Sequence, residues 1–347
     1  MKEKSWVILF GAICISLLLF LGGLNVVIDP FLHFHAPLSG LEYPLKDERY
    51  VNDGLHRQME YQILITGTSM SQNFYASTAE RLWQKQCIKT AYSGASLHEL
   101  SEYIERAIER NPQLELVICS LDLNKIGEDA EAVGYEDLPV YLYDENLWND
   151  VNYIFNKEVT LKSIAVLNYT RAGEKTPSFD MYGRFDQYQP HGREAVLNGY
   201  SRPEIQDYEL VFDEEAQTAI RRNLEQNVIK LAKKHPEVSF CYYIPPYSYC
   251  YWDGMVRTSQ LDYSMDAISY ASGLLLTQEN IELYCFYDRT DITTELENYT
   301  DTIHYVGSVC DTITESIFEK RQQLQKDTYQ SYFDTVKRLY KEMDYDF

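Results

Sequence analysis

Residues 61–73 read YQILITGTSMSQN, and the change of character halfway along this stretch decides the fold. Tyr61–Thr66 is a short apolar run rich in β-branched side chains, the make-up of a buried strand. Gly67 permits a sharp turn, and Ser69–Gln84 reads as a helix following it. A wholly apolar strand running through a glycine turn into a helix is the opening unit of an α/β domain. Its parallel strands are covered on both faces and so need no polar alternation.

The same alternation continues along the chain. Cys87–Ala91, Leu114–Leu121, Val238–Ile244 and Ile281–Tyr287 read as four further strands. Helices are expected at Ser96–Arg110, around Glu214–Lys234, over Val306–Gln322 and at Thr328–Met343. Pro245 and Pro246 should stop the fourth strand and stiffen the loop after it. The expected architecture is a three-layer α/β/α, flavodoxin-like domain with about five parallel strands. The roughly 90 residues at about 125–213, rich in Tyr, Asn, Asp and Gly, exceed an ordinary connection and read as an insertion or lid.

Ahead of this domain, Trp6–Ile28 runs without one charged side chain. A helix of that length spans roughly 34 Å, enough for a hydrocarbon core of about 30 Å. Lys2 and Lys4 precede it, so the positive-inside rule places the N-terminus in the cytoplasm and the rest of the chain outside, on a single-pass anchor in the cell membrane. A cleaved signal peptide is the rival reading, but the run exceeds the usual apolar core and no A-x-A-like site follows. The expected organisation is an anchor at 1–28, a connector at 29–60, the α/β domain at 61–324 and a C-terminal amphipathic helix at 325–347. Pro30, Pro37 and Pro44 stiffen the connector, which should hold the domain close to the bilayer.

The net charge of −22 makes the chain a poor non-specific nucleic-acid binder, because phosphate contacts need Lys and Arg. The seven cysteines include no C-x-x-C pair, and Cys119, Cys241 and Cys285 lie in strand-like runs where cysteine acts as a small hydrophobe. Thirty tyrosines fit either a carbohydrate-facing groove or ordinary aromatic packing. There is no metal-ligand spacing, phosphate-cradling loop or dinucleotide fingerprint, so no cofactor is expected.

In an open α/β sheet the functional crevice lies beyond the carboxyl ends of the strands. Ser69 stands at the first such end, where it reads either as an exposed hydroxyl or as an N-cap. After the fifth strand comes Asp301-Thr302-Ile303-His304. That offset lets the carboxylate hold the imidazole while its other nitrogen takes a serine proton. A capping Asp beside a surface His fits the segment equally well.

Taken together, the early Gly67-Thr68-Ser69 and the late D-x-x-H resemble the SGNH/GDSL hydrolase superfamily, in the order Ser…Asp…His. The anchor adds a resemblance to its cell-envelope members, such as the D-alanine-transfer protein DltD and the alginate O-acetylation proteins. The likeness covers the soluble region in layout and about ten residues in specific motif. It implies catalysis by Ser69, His304 and Asp301, with an oxyanion held by the Gly94 N–H and, less closely matched, by Asn124. The segment Ser120–Asn124 departs from the superfamily's G-x-N-D, and the first block is G-T-S rather than G-D-S. The implied activity is that of an extracytoplasmic esterase or O-acyltransferase working through an acyl-Ser69 intermediate. Its implied partners are an envelope polysaccharide or teichoic-type polymer and a membrane-bound O-acyltransferase. The alternative is a non-catalytic anchored scaffold or glycan-binding protein. His191, Arg184 and Arg193 in the insertion are candidates for contact with substrate or for a structural role in the loop.

Overall fold

The computed structural model describes residues 2–135, 138–208 and 210–347. Five strands form one parallel sheet: β1 (Ile63–Gly67), β2 (Cys87–Ala91), β3 (Leu116–Ser120), β4 (Ser239–Ile244) and β5 (Ile281–Cys285). Their order is β2-β1-β3-β4-β5, with helices on both faces. Every residue of β1, β2 and β3 is buried, which is why these strands read as largely apolar, Lys89 of β2 excepted. The chain leaves β1 for β2 on one side and later enters β3 on the other. A crevice therefore opens at the carboxyl ends of β1 and β3.

The stretch read as a helix from Ser69 divides. Ser69–Ser71 is a single 3₁₀ turn, and the helix proper is Ala76–Trp83. The Ser71 hydroxyl donates to Thr66 O at 2.6 Å, and Lys89 Nζ donates to Gln72 O at 2.5 Å and Phe74 O at 2.8 Å. These side chains tie the segment between the turn and the helix to β1 and β2, and Tyr75 leads into the helix from extended backbone. The helix Leu97–Arg110 begins as its sequence suggests, with a capping box between Ser96 and Glu99. The long run from Glu214 to Lys234 is helical throughout, with one π turn at Glu225–Ile229. β4 stops at Ile244, directly before the two prolines. All seven cysteines are free.

The chain forms two compact units, one of residues 1–60 and 137–178 and one of residues 61–136 and 179–347. The second holds the sheet. In the first, the apolar helix Lys2–Ile28 ends on Asp29, a fully buried carboxylate at a positive φ of 46°. Its Oδ1 accepts from His33 N (3.0 Å) and the Tyr153 hydroxyl (2.6 Å), and its Oδ2 accepts from Phe34 N (2.7 Å) and His35 N (2.9 Å). One side chain thus satisfies three backbone donors that turn the chain out of the helix. Lys4–Ile28 is, among the described residues, the one helix long and apolar enough to cross a membrane.

Asp29→Ala would leave those three N–H groups and the Tyr153 hydroxyl without an acceptor. At about 1–3 kcal/mol for each buried unsatisfied group, partly relieved by relaxation, the expected loss is on the order of 3 kcal/mol. A melt of the full-length protein in detergent reads it, and an unchanged Tm would contradict this account of the turn.

Candidate active site

β1 delivers Ser69. Gly67 has φ +132°, and a Cβ there would lie 2.5 Å from both the Ser120 and Ser71 hydroxyls and 2.9 Å from Ser120 N. Glycine is required on both counts. Thr68 follows, its N–H donating to Ser120 Oγ at 3.2 Å and its hydroxyl to the Asp122 carboxylate. The Thr68 oxygen also accepts from Met70 N at 3.3 Å. With the loop held from both sides, the half-buried Ser69 hydroxyl points to His304.

The histidine comes from a tight loop after β5. Tyr299 and Tyr305 pair across its base as an antiparallel bridge. Two hydrogen bonds clamp this loop to the nucleophile loop: the Tyr305 hydroxyl donates to Met70 O at 3.0 Å, and Asn73 Nδ2 to Tyr305 O at 2.8 Å. On the far side the Ser248 hydroxyl donates to Thr302 O at 2.7 Å, and the Tyr299 hydroxyl to Pro246 O at 2.7 Å. The stiff loop after β4 is thus a buttress.

Ser69 Oγ lies 2.8 Å from His304 Nε2, and His304 Nδ1 lies 2.7 Å from Asp301 Oδ2. Asp301 Oδ1 accepts from Ile303 N at 2.9 Å and His304 N at 2.8 Å. Burial alone would raise the Asp301 carboxyl. The hydrogen bond and charge of His304, together with the two backbone donors, outweigh it and hold the group below its usual value. An ionised carboxylate only accepts, so it holds an Nδ1–H, and in the neutral imidazole the Nε2 lone pair faces the serine. The site is therefore ready for proton transfer from Ser69 Oγ to His304 Nε2.

Gly94 sits in a turn beyond β2 at φ +71°, with open space where a Cβ would be. Its loop is joined to the serine loop by Tyr92 N donating to Gly67 O at 2.8 Å and by Gln72 Nε2 donating to Ser93 Oγ at 2.9 Å. Among the described residues, neither the Ser69 nor the Gly94 N–H donates a hydrogen bond. Asn124 is exposed on the turn after β3. The residues of this segment tied to the serine loop are Ser120 and Asp122, and Asp122 is buried and has an Oδ1 with no hydrogen-bond partner among the described residues. Burial pushes its carboxyl up, against the pull of the Thr68 and Ser120 hydroxyls and of the Lys125 and His304 charges. An acidic residue in an otherwise apolar strand end was the signal available in the sequence.

Phe185 and Lys89 also escaped the sequence reading. Phe185 stands edge-on to the His304 ring with centroids 5.5 Å apart. Asn73 Oδ1 holds it there by accepting from Phe185 N at 3.1 Å and Asp186 N at 3.3 Å. Arg184 is engaged internally: its guanidinium pairs with Asp186 at 2.7 and 3.0 Å and lies over the Tyr75 ring. His191 and Arg193 are exposed, with Arg193 N donating to Glu297 Oε1 at 3.2 Å.

Lys89 is the one charge inside β2, and burial pushes its ammonium down to about 8. Between pH 8 and the ordinary lysine value of 10.5 the unfolded chain binds more protons than the native one, so this group makes stability rise with pH across that window. Lys89→Met should lack that rise, as urea unfolding of both proteins at the two ends of the window will read. Parallel pH dependences would refute it.

Among the described residues no three His, Cys, Asp or Glu are grouped to hold a metal ion. No family model matches the chain, and no curated protein matches it. A solved structure from Streptococcus pneumonia, provisionally described as a platelet activating factor, is similar over 80% of this chain and 92% of its own, at 13% identity and a TM-score of 0.42.

Proposed function

We propose that the chain is a serine-dependent acyl-ester hydrolase or O-acyltransferase of the SGNH type. The observation that carries this reading is the hydrogen-bonded chain from Ser69 through His304 to Asp301 at the carboxyl edge of the parallel sheet. Ser69 Oγ attacks the carbonyl carbon of an ester while His304 Nε2 takes its proton, and Asp301 stabilises the resulting imidazolium. The tetrahedral oxyanion is received by the unoccupied N–H groups of Ser69 and Gly94. As the intermediate collapses, His304 returns the proton to the departing alkoxide, leaving acyl-Ser69. Water or a sugar hydroxyl then attacks with the same histidine as base, giving the free acid or a new ester. Phe185 forms a wall of the site beside His304.

The apolar N-terminal helix favours an acceptor in the cell envelope, outside the cytoplasmic membrane. A DltD-like role in acylating an envelope polysaccharide, with a membrane-bound O-acyltransferase as partner, is the form of this reading most in keeping with the anchor. The net charge of −22 favours a neutral glycan over a polyanionic teichoic-type polymer, because like charges repel at close approach.

A fluorophosphonate probe tests the chemistry. It should label the wild-type protein on the peptide carrying Ser69, and Ser69→Ala should be unlabelled. Undiminished labelling of Ser69→Ala would overturn the assignment. A wild-type protein that resists the probe yet binds envelope glycan would instead support an anchored binding protein.

A further inference from the structure

The anchor helix does not end where its unit begins to pack. Gly22 and Asn25 are buried, and a Cβ on Gly22 would lie 2.9 Å from Ile154 Cγ2 and Phe155 Cε1. Asn25 Nδ2 donates to Ile154 O and to Thr160 Oγ1, each at 2.9 Å, while its Oδ1 accepts from the Ser163 hydroxyl at 3.1 Å. The last two turns of the helix are thus held by protein. No side chain is buried over residues 6–21, and at 1.5 Å per residue they span about 24 Å, less than a hydrocarbon core of about 30 Å.

Apolar surface continues outward from that junction. Phe155, whose ring meets the anchor at Gly22, is half-exposed. Just before it, a turn raises Leu147 and Trp148 to 81% and 91% exposure. The helix Lys157–Arg171 turns Val159, Ser163 and Val166 inward and leaves Leu161, Ile164 and Leu167 on its open face. Lys157 and Arg171 are exposed at its two ends, while Lys162 pairs with Asp47; with Glu158 its one acidic residue, the helix is net basic in a strongly acidic chain.

We infer that this face is seated in the lipid bilayer, as an interfacial collar around the anchor. Three observations select lipid over a protein partner. The patch is continuous with the exposed anchor side chains, so whatever surrounds Leu19 and Phe20 also meets Phe155. An exposed Trp at the end of a spanning helix suits the headgroup layer, where its ring is favoured. The exposed cations suit anionic headgroups. The unburied span of the anchor is short of the hydrocarbon thickness, which draws this surface down to the membrane. The inference is independent of Ser69 chemistry and rests on retention of the anchor, which the intact mass of the purified protein reads separately.

The test uses the full-length chain in phosphatidylcholine–phosphatidylglycerol vesicles. Trp6→Phe removes the tryptophan of the anchor, and the difference between it and Trp6→Phe/Trp148→Phe isolates Trp148 emission. A headgroup-labelled nitroxide lipid should quench most of that difference signal, while aqueous iodide should quench it far less than it quenches free tryptophan. Full iodide access in vesicles would overturn the proposal and leave the face to a protein partner. Protection already present in detergent and growing with protein concentration would overturn it in favour of a contact between copies.

Discussion

Ser69→Ala is expected to reduce ester hydrolysis by on the order of 10⁵-fold or more, with the fold and its thermal stability little changed. The alanine keeps the 3₁₀ turn and removes only the oxygen 2.8 Å from His304 Nε2. His304→Ala should cost about as much, because a serine hydroxyl without its base is a weak nucleophile at neutral pH. The double variant should be hardly worse than either single, since the two groups act as one unit. Asp301→Asn should cost less, roughly 10⁴-fold, since its amide can present an N–H to Nδ1 and turn the imidazole to the wrong tautomer. Hydrolysis of p-nitrophenyl acetate by the full-length protein measures all four. Additive losses in the double variant would mean that Ser69 and His304 do not work together, whatever their separation in the fold.

Gly67→Ala should be the most damaging single-methyl change in the sheet domain. The added carbon meets two hydroxyls at 2.5 Å and a backbone nitrogen at 2.9 Å, and the residue sits at φ +132°. Conformational strain and overpacking together put the cost at roughly 3–5 kcal/mol. Relief can come only by moving Ser71, Ser120 or the strand end itself, and any of these displaces Ser69. Activity should therefore fall even in the fraction that folds. Gly94→Ala is the control: φ is +71° but no atom lies within 4 Å, so only the left-handed penalty of about 1–2 kcal/mol remains. Urea unfolding of the two variants should separate them clearly, and equal midpoints would refute the steric argument.

The turns beyond β2 and β3 show how far a sequence can be read. Gly94 is singled out by its place after β2, where the resemblance implies an oxyanion-holding glycine. Asn124 was singled out by offset from a strand end, but a count along the chain does not say which residue of a turn faces inward. The structure turns Asp122 inward, through its bond to Thr68, and leaves Asn124 in solvent. Phe185 belongs to a stretch without periodicity. Its place beside His304 depends on Asn73, 112 residues earlier in the chain, accepting its N–H.

By itself the sequence determined the order of strands along the chain and the apolar helix at its start, and it offered an early serine and a late Asp-x-x-His as candidates. Those features are local: burial on both faces favours apolar runs, a turn of this kind requires glycine, and a three-residue offset lets Asp301 reach His304. Only the tertiary structure decided that the helix after β1 begins at Ala76, that Tyr305 and Asn73 clamp the two loops together, and that the residues before β1 pack with 137–178. Each of these rests on hydrogen bonds or contacts between segments far apart in sequence. Such contacts form only once the chain has closed the loops between them, and no local pattern records their geometry.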